Sequence, residues 1–251
     1  MLFVFSFSLD FFHFYVPIAG LQKGHLTEGK QVFYDDETSI ENSSADRKKI
    51  NHFLHKHMET ITPSSVAIGQ VIPSLEFEYF QDESFRKIHF SDLRGKWVVV
   101  VFYPADFTFV CPTELEELAH NYEAFKALGA EVISVSTDTV FVHKAWHDSS
   151  PAIKQITYPM AADPSAKLAK AFGVYLPDEG VSLRGTFIID TEGVLQASEI
   201  NSNSIGRNAL ETLRKLEAAI FVKENPGQAC PANWKKGGKT LKPGIELVGK
   251  I

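Results

Sequence analysis

The chain of 251 residues contains two cysteines, and the first of them, Cys111, lies where a thiol can act as a nucleophile. It ends an apolar run and is followed at once by Pro112, where a helical pattern begins. Proline is favoured in the first turn of a helix, so Cys111 is predicted to lie at or just before the N-cap. The free backbone N–H groups and the helix dipole stabilise a thiolate there, and the thiolate is the reactive form. The competing interpretation is an inert thiol packed against the end of a strand.

Three other side chains are candidates for a site around Cys111. Acidic residues in the predicted helix oppose a negative sulfur, so a cation is required nearby. Arg184 directly precedes a predicted core strand, which can bring its guanidinium to the same end of the sheet. Thr108 has a hydroxyl that can donate and accept hydrogen bonds, and Pro104 can shield the sulfur from water. This combination suits peroxide reduction, in which a thiolate attacks one oxygen while donors stabilise charge on the other.

The elements that must position these residues form a predicted βαβ unit. A continuous apolar run, WVVVVFY at 97–103, indicates a strand that is buried on both faces. Apolar residues then recur at helical spacing over 115–125, and a second buried strand is predicted over 130–136. Such a unit is right-handed, with parallel strands, in nearly all proteins that contain it.

The rest of the chain predicts a mixed central sheet with helices on both faces, which is an α/β fold. Further helices are predicted over 140–146, 165–172 and 208–224 from the spacing of their apolar residues. Two apolar runs, 185–190 and 193–200, flank a short turn and are predicted to form an antiparallel hairpin.

Three segments are predicted along the chain. Residues 1–57 form an N-terminal extension that is first apolar and then polar like a linker, and Met58 begins a stretch that reads like an ordinary protein start. The extension lacks the basic first region of a signal peptide. An upstream reading frame, a dispensable extension and a targeting signal all stay open for it. Residues 58–225 are predicted to form one domain, and residues 226–251 an irregular tail rich in Gly, Pro and Lys.

Composition and the remaining motifs exclude several classes of function. The formal net charge of -6 argues against binding to nucleic acid or to an anionic membrane, because both need basic patches. The sequence has no phosphate-cradling loop, no Gly-x-Gly-x-x-Gly fingerprint and no Cys-x-x-Cys. His143 and His147 have metal-ligand spacing on a predicted helix, but a packed or solvated helix face is the favoured interpretation. We expect no metal, no bound cofactor and a cytoplasmic location.

The segment FYPADFTFVCPTE, residues 102–114, carries a family signature. Its Pro-x-x-x-Thr-x-x-Cys pattern, from Pro104 to Cys111, closely resembles that of the peroxiredoxins. The segments STDTVFVHKAWH, DEGVSLRGTFIID, IGRNALETLRKL, PGQACPANW and LVGKI resemble typical two-cysteine peroxiredoxins, above all those of the alkyl hydroperoxide reductase C type. The resemblance covers about residues 61–251 and leaves residues 1–57 unmatched. It implies a thioredoxin-like fold and a homodimer that assembles into a ring, expected to be a decamer.

The resemblance also implies roles for individual residues of this sequence. The peroxidatic cysteine and its pocket are implied to be Cys111, Pro104, Thr108, Arg184 and Glu114. Within this set, Glu114 is implied to orient the arginine. Cys230, in the segment GQACPANW, is implied to be the resolving cysteine. Its position in a Gly/Pro-rich tail, which is able to move, agrees with that role.

The implied chemistry is the reduction of hydrogen peroxide and alkyl hydroperoxides. The Cys111 thiolate attacks the peroxide and becomes a sulfenic acid. Cys230 of the partner subunit then condenses with it to form a disulfide, and an external dithiol reduces the disulfide by exchange. A flavoprotein disulfide reductase and a thioredoxin-like protein would serve equally as the reductant.

Two alternative functions compete with the thiol peroxidase. A dithiol oxidoreductase acting on protein disulfides is disfavoured, because the two cysteines lie far apart in the sequence and no Cys-x-x-Cys is present. A ring that acts as a holdase chaperone or redox scaffold stays open as a second activity.

Resistance to over-oxidation is predicted from two departures from the peroxide-sensitive members of the family. QITYPMAADPS, residues 155–165, stands where those members have a Gly-Gly-Leu-Gly loop, and no Tyr-Phe pair follows in a C-terminal helix. Both departures favour fast local unfolding of the site, so Cys111 is expected to stop at the sulfenic acid. Mass spectrometry of Cys111 after excess peroxide measures this, and abundant sulfinic acid at low peroxide would contradict it.

Overall fold

The computed structural model describes residues 65–251 of the chain. The expected N-terminal extension, its boundary at residue 57 and the start at Met58 lie outside the described residues. Within residues 65–251, no helix combines the length and the apolar character that are needed to cross a membrane.

The described part is built around a mixed sheet of seven strands. These strands are β1 (Glu76–Gln81), β2 (Ser84–His89), β3 (Trp97–Phe102), β4 (Ala130–Ser136), β5 (Met160–Ala162), β8 (Arg184–Ile189) and β9 (Leu195–Asn201). Their order in the sheet is β2-β1-β5-β4-β3-β8-β9, and the short strands β6 (Tyr175–Leu176) and β7 (Val181–Ser182) pair separately. The helices are α1 (Cys111–Ala127), α2 (Val140–Ser149), α3 (Lys167–Ala171) and α4 (Ala209–Glu224).

The predicted βαβ unit is confirmed. Strands β3 and β4 pair in parallel, with Trp97 opposite Ala130, and α1 connects them. Every residue of β3 is buried, as expected for a run of β-branched residues at the centre of a sheet. The predicted hairpin is also confirmed, because β8 and β9 pair in antiparallel fashion. Strand β8 lies directly beside β3, and the two are antiparallel.

Helices cover both faces of the sheet, as the sequence predicts. On one face, Val99 belongs to the same core as Leu115 of α1 and Leu216 of α4. On the other face, Val100 belongs to a second core that includes Leu168 of α3. Burial of such side chains is the main favourable term in folding, so these two cores hold the sheet and helices together.

Two predicted helices have different lengths in the structure. The helix predicted over 165–172 is reduced to the five residues of α3, because Ala166 adopts a left-handed backbone with φ of 54°. The buried Asp163 carboxylate accepts hydrogen bonds from the backbone N–H groups of Leu168 and Ala169, which fixes the start of the helix. The helix predicted over 140–146 continues to Ser149.

The hairpin of β1 and β2 was not predicted. The two strands pair in antiparallel fashion from Glu76 opposite His89 to Gln81 opposite Ser84. Their connection is a two-residue turn, Asp82 and Glu83, with φ of 49° and 55°. Both residues are left-handed, as in a type I′ turn, but the turn lacks the glycine that usually marks it in a sequence.

The tail after α4 contains no α-helix and no long strand, as predicted, but it folds back on itself. Ala229 and Leu241 form an antiparallel bridge with N–O distances of 2.8 and 2.9 Å. Trp234 is buried, and its ring centroid lies 5.1 Å from that of Phe221 on α4. In this structure the segment that carries Cys230 is therefore packed against α4.

Candidate active site

Cys111 is the first residue of α1 and is completely buried. The expected position at or just before the N-cap is one residue off, because the Val110 carbonyl accepts hydrogen bonds from the N–H groups of Thr113 and Glu114 and Val110 is the N-cap. Pro112 follows in the first turn, where the missing N–H of proline costs no hydrogen bond. The sulfur therefore lies at the positive end of a helix of 17 residues.

Arg184 is brought to Cys111 by β8. It is the first residue of that strand, and its Nη1 donates a hydrogen bond to Cys111 Sγ at 3.4 Å. Its Nε and Nη2 donate to the carbonyl of Asn203 at 3.0 and 2.8 Å, which fixes the plane of the guanidinium. A cation thus lies within hydrogen-bonding distance of a buried sulfur.

Glu114 lies between two arginines. Its Oε2 accepts a short hydrogen bond from Arg184 Nη1, and its Oε1 accepts from Arg207 Nε at 3.0 Å and from the Arg207 backbone N–H at 2.8 Å. The side chains of all three residues are at most 4% exposed. The carboxylate of Glu114 is therefore paired with two guanidiniums, and it holds Arg184 beside the sulfur.

Arg207 is a site residue that the sequence reasoning missed. It lies in the loop before α4, and its Nη1 donates to the carbonyls of Phe102 at 2.6 Å and Gly185 at 3.0 Å. Burial lowers the pKa of Arg207, while the attraction of Glu114 opposes this shift. The segment IGRNALETLRKL, which contains Arg207, resembles the family, but no local pattern in it distinguishes a buried arginine from a surface one.

Thr108 and Pro104 lie in the loop that connects β3 to α1, and both are partly buried. Thr108 Oγ1 donates a hydrogen bond to the carbonyl of Ala105 at 2.9 Å. Because its proton is directed to that carbonyl, the Thr108 hydroxyl is left to act as an acceptor, not as both donor and acceptor. Phe107, between them, adopts a left-handed backbone with φ of 55°, which gives the loop its sharp bend.

A buried polar network holds this loop. The Asp106 carboxylate accepts from Tyr103 Oη at 2.7 Å and lies 2.8 Å from His143 Nδ1, while His143 Nε2 lies 3.1 Å from the carbonyl of Ala161. Burial, together with Asp106, raises the pKa of Tyr103, so its hydroxyl stays protonated and donates. Both ring nitrogens of His143 thus have protein partners, which fits the packed helix face favoured for that residue. His147 is only partly buried, and its Nε2 lies 3.2 Å from the carbonyl of Ile156.

Cys230 does not share the surroundings of Cys111. Both cysteines are unpaired thiols, and Cys230 Sγ lies 4.0 Å from the carbonyl of Ala218 on α4. Burial raises the pKa of Cys230 more than the nearby Arg214 lowers it. The structure therefore places Arg184 in contact with both Cys111 and Glu114, and it leaves Cys230 in the tail, where Cys230 packs against α4.

Sequence comparisons relate the chain to a family and to named proteins. A sequence profile described as the AhpC/TSA family matches residues 68–198, and one described as the C-terminal domain of 1-Cys peroxiredoxin matches residues 221–246. Alkyl hydroperoxide reductase C of Amphibacillus xylanus is 52% identical over 185 residues, which cover 73% of this chain and 98% of that protein. The Staphylococcus aureus protein of the same name is 56% identical over 169 residues, which cover 67% of this chain and 89% of that protein.

Two solved structures are similar as well. The crystal structure of Enterococcus faecalis AhpC has a TM-score of 0.65 and 44% sequence identity, and the match covers 66% of this chain and 99% of the Enterococcus faecalis chain. Reduced Plasmodium vivax 2-Cys peroxiredoxin has a TM-score of 0.68 and 34% identity, and the match covers 71% of this chain and 94% of the Plasmodium vivax chain. The expected thioredoxin-like fold is confirmed by these two neighbours.

Replacing Glu114→Gln is expected to lower the free energy of unfolding by about 3 kcal/mol or more, because it leaves two buried guanidiniums without a carboxylate. Urea denaturation of the reduced protein measures the change. Glu117→Gln, on the same helix but only partly buried, is the control and is expected to change stability by less than about 0.5 kcal/mol. Equal stability of Glu114→Gln and the unaltered protein would contradict the structural role of this cluster.

Proposed function

Because the chain belongs to the AhpC/TSA family and is a thiol-dependent peroxidase, we propose that Cys111 is the peroxidatic cysteine. The observation that carries this proposal is the hydrogen bond of 3.4 Å from Arg184 Nη1 to Cys111 Sγ at the N-terminus of α1. It combines the two features that make a thiolate available, a neighbouring guanidinium and the positive end of a helix.

In the first step the Cys111 thiolate attacks one oxygen of hydrogen peroxide or an alkyl hydroperoxide. An S–O bond forms and the O–O bond breaks, which gives the sulfenic acid and, after protonation of the leaving oxygen, water or an alcohol. Arg184 donates hydrogen bonds to the peroxide oxygens and so stabilises the negative charge that develops on them. Glu114 and Arg207 hold Arg184 in place. Thr108 Oγ1 accepts a hydrogen bond from the O–H of the peroxide, and Pro104 shields the sulfur from bulk water.

In the second step Cys230 is the resolving cysteine. The thiol of Cys230 of the partner subunit attacks the sulfenic sulfur of Cys111, an S–S bond forms, and the hydroxyl group leaves with a proton as water. A dithiol reductant returns both thiols by exchange, as expected for a family that uses a reductant partner. A flavoprotein disulfide reductase and a thioredoxin-like protein are both proposed for this step.

The two proposed steps use two different segments of the chain. Residues 58–225 form the peroxidase domain, and residues 226–251 form the tail with the resolving cysteine. All the groups that the two steps require belong to the chain, so the proposal involves no metal and no bound cofactor. Cytoplasmic location, and the lack of nucleic-acid and membrane partners, stay predictions from the sequence.

Exposed aromatic side chains support assembly into a ring. Phe109 and Phe141 are 95% and 70% exposed, and Phe141 makes an edge-to-face contact with Phe85, which is also exposed, with ring centroids 5.2 Å apart. Exposed apolar clusters of this kind mark protein–protein contacts. Strand β9 lies at an edge of the sheet, where unpaired backbone groups invite a second copy of the strand. We therefore assign β9 to the homodimer and the aromatic surface formed by Phe85 and Phe141 to the decamer.

Replacing Phe141→Glu is expected to convert decamers into dimers, because it places a charge on the aromatic surface and leaves β9 unchanged. Sedimentation velocity of the reduced protein measures the change. Val222→Glu, at an exposed apolar position on α4, is the matched control and is expected to keep the ring. A decameric Phe141→Glu protein would exclude this surface from the ring contact.

The peroxidase mechanism is tested by stopped-flow reaction of the reduced protein with hydrogen peroxide, followed by Trp fluorescence. The unaltered chain is expected to react fast, and Cys111→Ser to give no reaction. Cys230→Ser is expected to consume one peroxide without forming a disulfide-linked dimer. Equally slow reactions of the unaltered protein and Cys111→Ser would refute the assignment of Cys111.

A further inference from the structure

One peptide group in the loop that connects β3 to α1 is hydrogen-bonded on both of its sides. Its carbonyl, that of Ala105, accepts the hydrogen bond from Thr108 Oγ1 at 2.9 Å. Its N–H, that of Asp106, donates to Asp138 Oδ2, also at 2.9 Å. The carbonyl and the N–H belong to one planar unit, in which they point in opposite directions. The direction of the Thr108 proton therefore depends on a carboxylate on the far side of this peptide group.

Asp138 belongs to a different connection of the sheet. It lies in the turn between β4, which ends at Ser136, and α2, which begins at Val140. Strands β3 and β4 are parallel, so the connections that follow them lie at the same end of the sheet. Asp138 therefore reaches the loop before Cys111 from the neighbouring strand, although it follows Asp106 by 32 residues in the chain.

Ser136 fixes the carboxylate of Asp138. Its Oγ donates a hydrogen bond to Asp138 Oδ2 at 2.8 Å and accepts one from the backbone N–H of Asp138 at 3.1 Å. Ser136 is buried, and Asp138 is partly buried. These two hydrogen bonds hold the carboxylate in one orientation, so it is a fixed acceptor for the N–H of Asp106.

The side chain of Asp106 is held by other groups. Its carboxylate accepts a hydrogen bond from Tyr103 Oη at 2.7 Å and lies 2.8 Å from His143 Nδ1. These contacts anchor the loop, whereas the contact with Asp138 acts on the peptide group alone. Loss of the Asp138 carboxylate is therefore expected to let the peptide group turn while the loop stays in place.

We propose that Asp138 is a positioning residue for the peroxide step, and that it acts on Thr108 through the peptide group between Ala105 and Asp106. The inference rests on the proposed function, in which Thr108 Oγ1 accepts a hydrogen bond from the peroxide. Three hydrogen bonds then form one chain, from the peroxide O–H to the threonine oxygen, from the threonine proton to the carbonyl, and from the peptide N–H to the carboxylate. Hydrogen bonds in such a chain polarise one another. Asp138 thus keeps the threonine proton on the carbonyl and the threonine lone pairs available to the peroxide.

Replacing Asp138→Ala in the full chain tests the inference. The stopped-flow reaction of the reduced protein with hydrogen peroxide is expected to slow about tenfold, which corresponds to about 1.4 kcal/mol. The second measurement is modification of Cys111 by methyl methanethiosulfonate, followed by mass spectrometry. This reagent attacks the same thiolate but has no hydrogen-bond donor for Thr108, so its rate is expected to change by less than about twofold.

A double-mutant cycle with Thr108→Val identifies the route of the effect. Thr108→Val removes the hydroxyl and is expected to slow the peroxide reaction about a hundredfold. Adding Asp138→Ala to this variant is expected to cause no further loss, because no hydroxyl is left to orient. A further tenfold loss in the double variant would refute the inference, since Asp138 would then act by another route.

Three further variants separate positioning from a general loss of stability. Asp138→Asn keeps an acceptor oxygen for the N–H of Asp106 and is expected to restore the peroxide rate to within about threefold of the unaltered protein. Ser136→Ala is the milder change and is expected to slow the reaction about threefold, which keeps the inference testable if Asp138→Ala does not fold. Asp92→Ala is the control, because Asp92 Oδ2 also accepts a backbone N–H, that of His89 at 2.8 Å, but lies in the short helical turn before β3. It is expected to match the unaltered protein.

The outcomes distinguish this inference from the proposed function. An unchanged peroxide rate in Asp138→Ala, or in Ser136→Ala if only that variant folds, would refute the positioning role. With no reaction in Cys111→Ser, the proposed function would then stand. Equal losses with peroxide and with methyl methanethiosulfonate would also refute the positioning role, because Asp138 would then support the thiolate and not Thr108. A fast peroxide reaction of Cys111→Ser would refute the proposed function and this inference together.

Discussion

The site depends on the net charge of one buried cluster of side chains. Arg184 and Arg207 contribute two positive charges and Glu114 one negative charge, and all three are almost completely buried. The excess positive charge lies next to Cys111, at 3.4 Å from Arg184 Nη1 to Sγ. The site therefore depends on a positive charge that a single carboxylate balances only in part.

The same cluster ties together the elements of the fold that meet at Cys111. Glu114 belongs to the first turn of α1, and Arg184 begins β8. Arg207 binds the carbonyl of Phe102, at the end of β3, and that of Gly185, at the start of β8. Side chains that also set the charge at the sulfur thus hold together two central strands, one helix and one loop, at one end of those strands. Stability and chemistry depend on the same side chains there.

The sequence predicts those parts of this arrangement that follow from local patterns. The valines of β3 and the helical spacing of α1 identify the βαβ unit, and Pro112 places Cys111 at the mouth of the helix. The turn at Asp82 and Glu83 was missed because its left-handed residues include no glycine. Other features arise only from tertiary contact. Nothing local indicates that Arg207 reaches two strand carbonyls, or that Trp234 is buried in a tail rich in glycine and lysine.

The hydrogen bond from Thr108 to the carbonyl of Ala105 has a consequence for selectivity. With its proton directed away, the hydroxyl presents only lone pairs to an incoming molecule. A hydroperoxide has an O–H group to donate to them, whereas a dialkyl peroxide has none and would leave that acceptor unsatisfied. Desolvating an acceptor without a partner costs about 1–3 kcal/mol. In the proposed site, a hydroperoxide is therefore favoured over a dialkyl peroxide by the hydrogen that it carries.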